Sequence, residues 1–175
     1  FQSLTPKINS IFGHDKSLKK VTDYYKEHPY KKTTNEYTDI FKGKNVIVIH
    51  AESMQTFLMD LKFNGKEVTP NLNKLLKNDT IYFNHFYSTT GVGNTADAEF
   101  SALNGLYPND IRECYRMYVD NTYNGLPWMF RENGYSALAF HGYVKTFWNR
   151  SEAYKNQGFQ HYYSEEELKK TQISG

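Results

Sequence analysis

Thr95 lies behind two glycines in the stretch VGNTADAEF, residues 92–100, and its hydroxyl could act as a nucleophile. Gly91 and Gly93 allow a tight turn before a helix, and the free N–H groups of the first helical turn favour an anion beside the threonine. A threonine hydroxyl attacks well only when a base or a metal helps to remove its proton. Threonine is also a common helix N-cap, and the local pattern alone favours that structural role.

Glu52 follows the apolar run NVIVIHA (45–51), which is typical of a strand buried on both faces. A carboxylate at the end of a rigid strand suits a divalent cation, because oxygen ligands held there fix the coordination geometry. A metal held partly by Glu52 would supply the activation that Thr95 needs. The same position also suits a glutamate that caps a helix or forms a salt bridge. His50 lies two residues earlier, on the same strand face, and could orient Glu52.

The segment HGYVKTFWNR (141–150) contains a third group of residues suited to binding. His141 ends a predicted strand, and nine residues later Arg150 could bind a phosphate through two parallel hydrogen bonds. Trp148 could form the wall of a pocket for a small polyol. The alternative is structural: Trp148 and Phe147 would belong to the core, and Arg150 would be a surface charge near the start of a helix.

Strands and helices alternate along the chain, which predicts an α/β fold with a mostly parallel sheet sandwiched by helices. Ligands bind beyond the carboxyl ends of the strands in such sheets, where all three segments are expected. The predicted strands are 45–51, 81–89, YSALAFHG (135–142) and FQHYY (159–163). The predicted helices are SLKKVTDYYKEH (17–28), TPNLNKLLKND (69–79), the stretch from Thr95 to Pro108, LPWMFREN (126–133) and NRSEAYKNQG (149–158), the last with Ser151 as its cap.

The composition limits the classes of protein to which this chain can belong. The 175 residues suit one domain or part of a larger one, and 39% hydrophobic residues are enough for a core. The 21 basic and 19 acidic residues are well mixed, without the basic stripe that a nucleic-acid-binding protein uses. The single cysteine, Cys114, excludes an internal disulfide and a multi-cysteine metal site. No apolar run reaches the ~18 residues that span a bilayer, so any membrane anchor is expected outside this chain.

The three segments, in this order, resemble the extracellular catalytic domain of the lipoteichoic acid synthases. The resemblance is carried by HAESMQTFLMDLKFNGKEVTPNLNKL, by GVGNTADAEFSALNGLY and by HGYVKTFWNR followed by YKNQGF, and it covers most of residues 44–163. It implies a fold of the sulfatase and alkaline phosphatase superfamily. Residues 1–42 would then be a lead-in linker with a short helix. Residues 43–175 would be the N-terminal portion of the catalytic domain, and so an incomplete domain.

The resemblance implies a metal-dependent transferase of the Gram-positive cell wall. Such enzymes move glycerol phosphate from phosphatidylglycerol to a lipoteichoic acid chain or a glycolipid anchor, through a threonine-linked intermediate. The cofactor would be a divalent metal, Mn²⁺ first, with Mg²⁺ and Zn²⁺ as alternatives. The enzyme would lie at the extracellular face of the bacterial membrane, held by anchoring helices absent from this chain, or released from it. A nucleic-acid partner is not expected.

The resemblance also assigns roles to individual residues. Glu52 would be a metal ligand, and Thr95 would be both the nucleophile and a metal ligand. Trp148 and Arg150 would hold the glycerol phosphate, and His141 would line the pocket. The resemblance thus reverses the local preference for a capping role at Thr95.

The chain departs from the family pattern at three points. Tyr143 stands where the family has an acidic residue, and Asn94 stands where it often has lysine. The Asp-His pair that completes the family's metal site does not occur in this sequence. We therefore expect this polypeptide alone to be inactive. The alternatives are a primase-type paralogue, another transferase or hydrolase of the superfamily such as a phosphoethanolamine transferase, and an inactive fragment that binds glycerol phosphate polymers. A sulfatase is disfavoured, because sulfatases use a cysteine or serine where this chain has threonine.

Overall fold

The computed structural model describes residues 16–78 and 80–168 of the protein. Contacts between residues divide the chain into two units, of which the first ends at Val48 and the second begins at Ile49. The first fifteen residues of the predicted lead-in segment, Asp79 of a predicted helix and the last seven residues of the chain lie outside the described residues. The predicted division into a lead-in segment and a catalytic part stays a prediction.

Helix α1 (Lys16–Glu27) lies in the first unit, as the sequence predicts. The backbone N–H of His28 donates to the carbonyl of Tyr24 at 2.8 Å and closes the last turn. Pro29 follows, and a proline ring cannot continue a helix. Across the described residues, no helix combines the length and the apolar character needed to cross a bilayer.

The helices of the second unit begin and end close to their proline and glycine signals. Thr69 is the N-cap before Pro70, which occupies the first helical position. Glycines in the left-handed region end two of these helices, Gly105 with a φ of 64° and Gly158 with a φ of 99°. The α-helices are α2 (Pro70–Leu76), α3 (Thr95–Asn104), α4 (Cys114–Met117), α5 (Leu126–Glu132) and α6 (Arg150–Gln157), with 3₁₀ turns at Thr56–Leu58 and Phe147–Asn149.

Three predicted helix boundaries are wrong. Helix α2 ends at Leu76, before the end of the predicted stretch. Helix α3 ends at Asn104 rather than near Pro108, because Gly105 turns the chain into the left-handed region. Helix α6 begins at Arg150, and its cap is Asn149 rather than Ser151. Asn149 has a left-handed backbone with a φ of 58°, a conformation that asparagine tolerates better than most residues.

Two predicted strands form a parallel pair, and two others do not form. Strand β3 (Leu138–Phe140) pairs in parallel with β4 (His161–Tyr163), in the register Ala139 opposite Tyr162, and α6 lies between them in sequence. An antiparallel hairpin that was not predicted, β1 (Lys62–Phe63) with β2 (Lys66–Glu67), turns through Asn64 and Gly65. Both turn residues have positive φ, of 49° and 77°, as a two-residue hairpin turn requires.

The predicted strands at 45–51 and 81–89 are wrong for the described structure. Neither segment has regular secondary structure apart from a turn at 84–85, and Ile47, Ile49 and Phe83 are exposed. A strand buried on both faces lies inside a sheet, hydrogen-bonded to neighbouring strands and covered by helices above and below. The described ladders are limited to the hairpin and to the β3–β4 pair, so neither segment has such neighbours. Glu52 consequently lies in a turn rather than at the end of a strand.

The core of the second unit is built from buried side chains of helices α3, α4 and α6 and of the parallel strands β3 and β4. The aromatic contacts are edge to face, with ring centroids 4.9 Å apart between Tyr154 and Tyr162 and 5.1 Å apart between Phe100 and Tyr123. Such contacts fix the helices because their geometry is specific. The buried apolar residues are Ala96, Phe100, Cys114, Tyr115, Ala139, Ala153, Tyr154 and Tyr162, and Trp148 is among the partly buried residues packed against them.

Candidate active site

Thr95 and Glu52 meet at the start of helix α3. The Thr95 Oγ1 hydroxyl donates a hydrogen bond of 2.6 Å to Glu52 Oε2, across 43 positions of sequence, at an exposed place on the molecule. Thr95 is the first helical residue and Asn94 is the N-cap, so the local interpretation of Thr95 as the cap is wrong. The structure thus brings the two residues together. Their roles as nucleophile and metal ligands stay predictions.

Asn94 has an unusual backbone directly before Thr95. Its φ of 42° and ψ of −108° lie in a region that glycine favours and that is strained for other residues. Its N–H donates to the Gly91 carbonyl at 3.3 Å, and its own carbonyl accepts the N–H of Ala98 at 2.9 Å. The tight turn therefore runs straight into the first turn of the helix, where the Thr95 hydroxyl remains accessible.

Asp97 is a buried carboxylate that sequence reasoning did not single out. It is 0% exposed, and it accepts hydrogen bonds from the backbone N–H groups of Gly93 at 2.8 Å and of Cys114 at 3.0 Å. An acidic residue at the third position of a helix often accepts a bond from a backbone N–H at the helix start. The spacing of Asp97 behind Asn94 was therefore the signal that could have revealed it.

Arg150, which was predicted to hold a phosphate, forms a buried ion pair with Glu99. Its Nε donates to both Glu99 carboxylate oxygens, at 3.2 Å and 3.1 Å, and its terminal nitrogen donates to Oε1 at 2.6 Å. The Tyr154 hydroxyl adds a bond of 2.8 Å to Glu99 Oε2. The arginine side chain is only 1% exposed, so the alternative of a surface charge is wrong. A phosphate contact by Arg150 stays a prediction.

The Glu99–Arg150 pair sets the electrostatics around it. Burial disfavours the charged guanidinium, but the hydrogen bonds and negative charge of Glu99 outweigh burial and raise the pKa of Arg150. Burial, and then the charge of Glu99, raises the pKa of Tyr154 and of Tyr115. Both phenols are therefore neutral at physiological pH. Because Glu99 lies one turn after Thr95, the pair ties the helix that carries Thr95 to helix α6.

Trp148 and His141 occupy the segment between β3 and α6. Trp148 has a left-handed backbone, with a φ of 57°, and its ring lies 5.4 Å from that of Phe147. The His141 backbone N–H donates to the carbonyl of Tyr163 at 2.9 Å and extends the pairing of β3 with β4. Tyr143, one of the departures from the family pattern, is exposed. Contact of His141 and Trp148 with glycerol phosphate stays a prediction.

The oxygens of Glu52 and Thr95 suit part of a cation site. Carboxylate and hydroxyl oxygens are ligands that Mg²⁺ and Mn²⁺ accept, and the two side chains converge within hydrogen-bond distance. Within residues 16–78 and 80–168, no three His, Cys, Asp or Glu side chains gather into a group that could hold a metal. The donor chemistry of Glu52 and Thr95 fits a hard divalent cation, and these two residues supply two ligands of the several that such a cation needs.

The chain is similar to known sulfatases and lipoteichoic acid synthases. A profile described as Sulfatase matches residues 44–174. "Lipoteichoic acid synthase 2" of Bacillus subtilis (strain 168) is 37% identical over 163 residues, which are 93% of this chain and 25% of that protein. "Lipoteichoic acid synthase" of Staphylococcus aureus (strain USA300) is 44% identical over 149 residues, which are 83% of this chain and 23% of that protein. The chain thus spans about a quarter of the length of these relatives.

A solved structure shares the fold. The crystal structure of the lipoteichoic acid synthase LtaP from Listeria monocytogenes superposes with a TM-score of 0.78 at 30% identity, covering 88% of this chain and 38% of that one. The predicted α/β fold class of the sulfatase type is therefore confirmed, with small sheets and flanking helices in the described part.

Proposed function

The chain belongs to the sulfatase family, and from that premise we propose that it is part of a phosphoglycerol transferase in which Thr95 is the nucleophile. The single observation that carries the proposal is the 2.6 Å hydrogen bond from Thr95 Oγ1 to Glu52 Oε2. It supports the proposal because the hydroxyl proton points at a carboxylate, and because the pair lies in a chain similar to lipoteichoic acid synthases. In this proposal, residues 43–175 are the N-terminal portion of the catalytic domain.

The reaction would proceed in two displacements. Thr95 Oγ1 attacks the phosphorus of phosphatidylglycerol, a P–O bond forms, and the bond to the diacylglycerol oxygen breaks. Thr95 loses its hydroxyl proton in this step and the departing oxygen takes up one in its place, so that diacylglycerol leaves and a glycerophosphoryl-threonine remains. A hydroxyl of a glycolipid or of a lipoteichoic acid chain then attacks the same phosphorus. Thr95 leaves with its proton restored, and glycerol phosphate is transferred.

The chain's own residues would prepare the attack. Glu52 Oε2 orients the hydroxyl and accepts its hydrogen bond. The N-terminal end of helix α3 carries partial positive charge, which favours a phosphate beside Thr95. A divalent cation, Mn²⁺ first and Mg²⁺ or Zn²⁺ as alternatives, would neutralise the phosphoryl charge when bound, and Glu52 and Thr95 are the residues that would hold it.

The substrate would be held by the segment before α6. Trp148 and His141 would line the pocket for the glycerol. Arg150 would bind the phosphate directly after release from Glu99. While paired with Glu99, it would instead hold helix α3 in place. The proposed site of action is the extracellular face of a bacterial membrane, with the phosphatidylglycerol and the acceptor both presented by that membrane.

A lipid assay tests the nucleophile. The full-length protein is incubated with fluorescent phosphatidylglycerol and Mn²⁺, and diacylglycerol release is measured. We expect Thr95→Ala to abolish release and Thr95→Ser to keep part of it, because serine retains the hydroxyl. Thr122→Ala, at an exposed threonine, is the matched control and should be fully active. Full activity of Thr95→Ala would rule out the proposed nucleophile, and cleavage of phosphatidylethanolamine instead would assign another transferase of the superfamily.

A further inference from the structure

We propose that Asp97 is a positioning residue whose buried carboxylate holds the glycine turn, residues 91–94, and so aims the Thr95 hydroxyl at Glu52. The inference rests on the proposed role of Thr95 as nucleophile. Asp97 itself touches neither Glu52 nor Thr95 through a hydrogen bond of its side chain in the described structure, and it acts through the backbone of the turn.

The contacts of Asp97 join two separate pieces of chain. One carboxylate oxygen accepts the N–H of Gly93, four residues earlier, and the other accepts the N–H of Cys114 at the start of α4. A fully buried carboxylate is costly unless it is hydrogen-bonded or paired. The ion pairs of the described residues do not include Asp97, so backbone N–H groups satisfy it. An apolar residue would fill this space without holding the turn.

The glycines of the turn are fitted to the carboxylate. A Cβ on Gly93 would lie 2.5 Å from Asp97 Oδ1 and 2.8 Å from Oδ2. A Cβ on Gly91 would lie 2.2 Å from the Asn109 carbonyl oxygen and 2.9 Å from Asp97 Oδ2. Neither glycine has a positive φ, so their backbone conformation alone does not require glycine. The close approach of the carboxylate and of the Asn109 carbonyl is what excludes a larger residue.

The hydrogen bond to Gly93 acts one residue before the strained position. Asn94 has a backbone that non-glycine residues avoid, and such strain persists only where the surroundings fix it. Asp97 anchors the turn immediately upstream, and helix α3 anchors it downstream. Thr95 lies between these two anchors, so the direction of its hydroxyl depends on both. Loosening the upstream anchor would displace the nucleophile while the helix and its core contacts remain.

Asp97→Asn tests the inference in the full-length protein. Asparagine has one acceptor oxygen, so its amide group would face one of the two N–H donors. We expect kcat to fall ~100-fold, the loss typical of a misplaced reacting group, with KM unchanged, because substrate contacts are intact. Hydrogen exchange at the Gly93 or Cys114 amide should quicken. Asp120→Asn is the control, because it makes the same chemical change at an exposed aspartate. It should change neither kcat nor the exchange rates of the Gly93 and Cys114 amides.

Gly93→Ala is a second variant, useful if Asp97→Asn does not fold. The added methyl would lie too close to both carboxylate oxygens, so exchange at position 93 should quicken and kcat should fall without a change in KM. Unchanged kcat in both variants, or an equal effect on kcat and KM, would overturn the positioning role. Thr95→Ala separates the two proposals: if it is fully active the proposed function fails, whereas unchanged exchange at positions 93 and 114 in Asp97→Asn contradicts the inference alone.

Discussion

Glu99→Met removes the carboxylate that binds the guanidinium of Arg150, a group with almost no access to water. Arg150 is 1% exposed, and it directs its Nε and one terminal nitrogen at Glu99. Of the hydrogen bonds that the Arg150 side chain makes to described residues, the substitution would leave the bond to the Phe147 carbonyl, at 3.3 Å. The substitution therefore leaves a buried charge without its counter-charge.

The burial of Arg150 determines how much unfolding free energy the Glu99→Met substitution costs. Breaking a buried ion pair by removing one partner costs ~3–5 kcal/mol of unfolding free energy, because the remaining charge is uncompensated. Arg150→Met should cost less than Glu99→Met. The Glu99 side chain is 13% exposed and can reach water, and it keeps the hydrogen bond from the Tyr154 hydroxyl at 2.8 Å. Replacing both residues by methionine should cost less than the sum of the two single changes.

Urea unfolding of the protein and its variants measures these differences. Glu152→Met is the matched control, because Glu152 also pairs with a residue of helix α6, Lys155, at 2.9 Å, but the two side chains are 57% and 68% exposed. An exposed pair contributes ~0–1 kcal/mol, so the control should be nearly neutral. A Glu99→Met variant no less stable than the control, or strict additivity of Glu99→Met and Arg150→Met, would refute the reasoning.

Two further substitutions test local features. Gly158→Ala should lower the unfolding free energy by ~1–3 kcal/mol, because its φ is 99° and the added Cβ would lie 2.7 Å from the Trp128 ring. Gly105→Ala, with a φ of 64° and open space around it, should cost less in the same urea experiment, and equal costs would contradict the role of the ring. Glu167 should titrate near pH 2 when followed by NMR, because the hydrogen bond from Lys145 lowers its pKa from 4.5 to about 2. The contact between the two side chains is therefore fully present above pH 4.5 and is lost as the pH falls through about 2. In Lys145→Met the pKa of Glu167 should rise, and an unchanged pKa would show that Lys145 is not its cause.

Local signals in the sequence predicted most of the helices. Pro70 at a first helical position, the leucines after it, and Gly158 at a helix end are signals that act within a few residues, so a single sequence contains them. The strand at 45–51 failed for the opposite reason. Its apolar run fits burial on both faces, but pairing depends on neighbouring strands far away in the sequence, and the described residues do not supply them.

The candidate site was predicted in part. The convergence of Glu52 and Thr95 was predicted from the rule that ligands bind beyond the carboxyl ends of parallel strands, and from the resemblance of whole segments, although Glu52 lies in a turn rather than at a strand end. Asp97 and Glu99 were missed because acidic residues in a helical stretch are usually exposed to solvent. Each is satisfied instead by groups that tertiary structure brings close, and the partner of Glu99, Arg150, comes from 51 positions further along the chain.

Three residues at alternate positions of helix α3 make three different contacts. Thr95 faces Glu52, Asp97 faces the glycine turn, and Glu99 faces Arg150. Successive residues of an α-helix are rotated by ~100°, so inserting or deleting one residue inside this stretch would swing every later side chain away from its neighbour. We therefore expect residues 95–99 not to tolerate an insertion or a deletion. Natural or engineered insertions belong after the helix, near Gly105, where an added side chain meets open space.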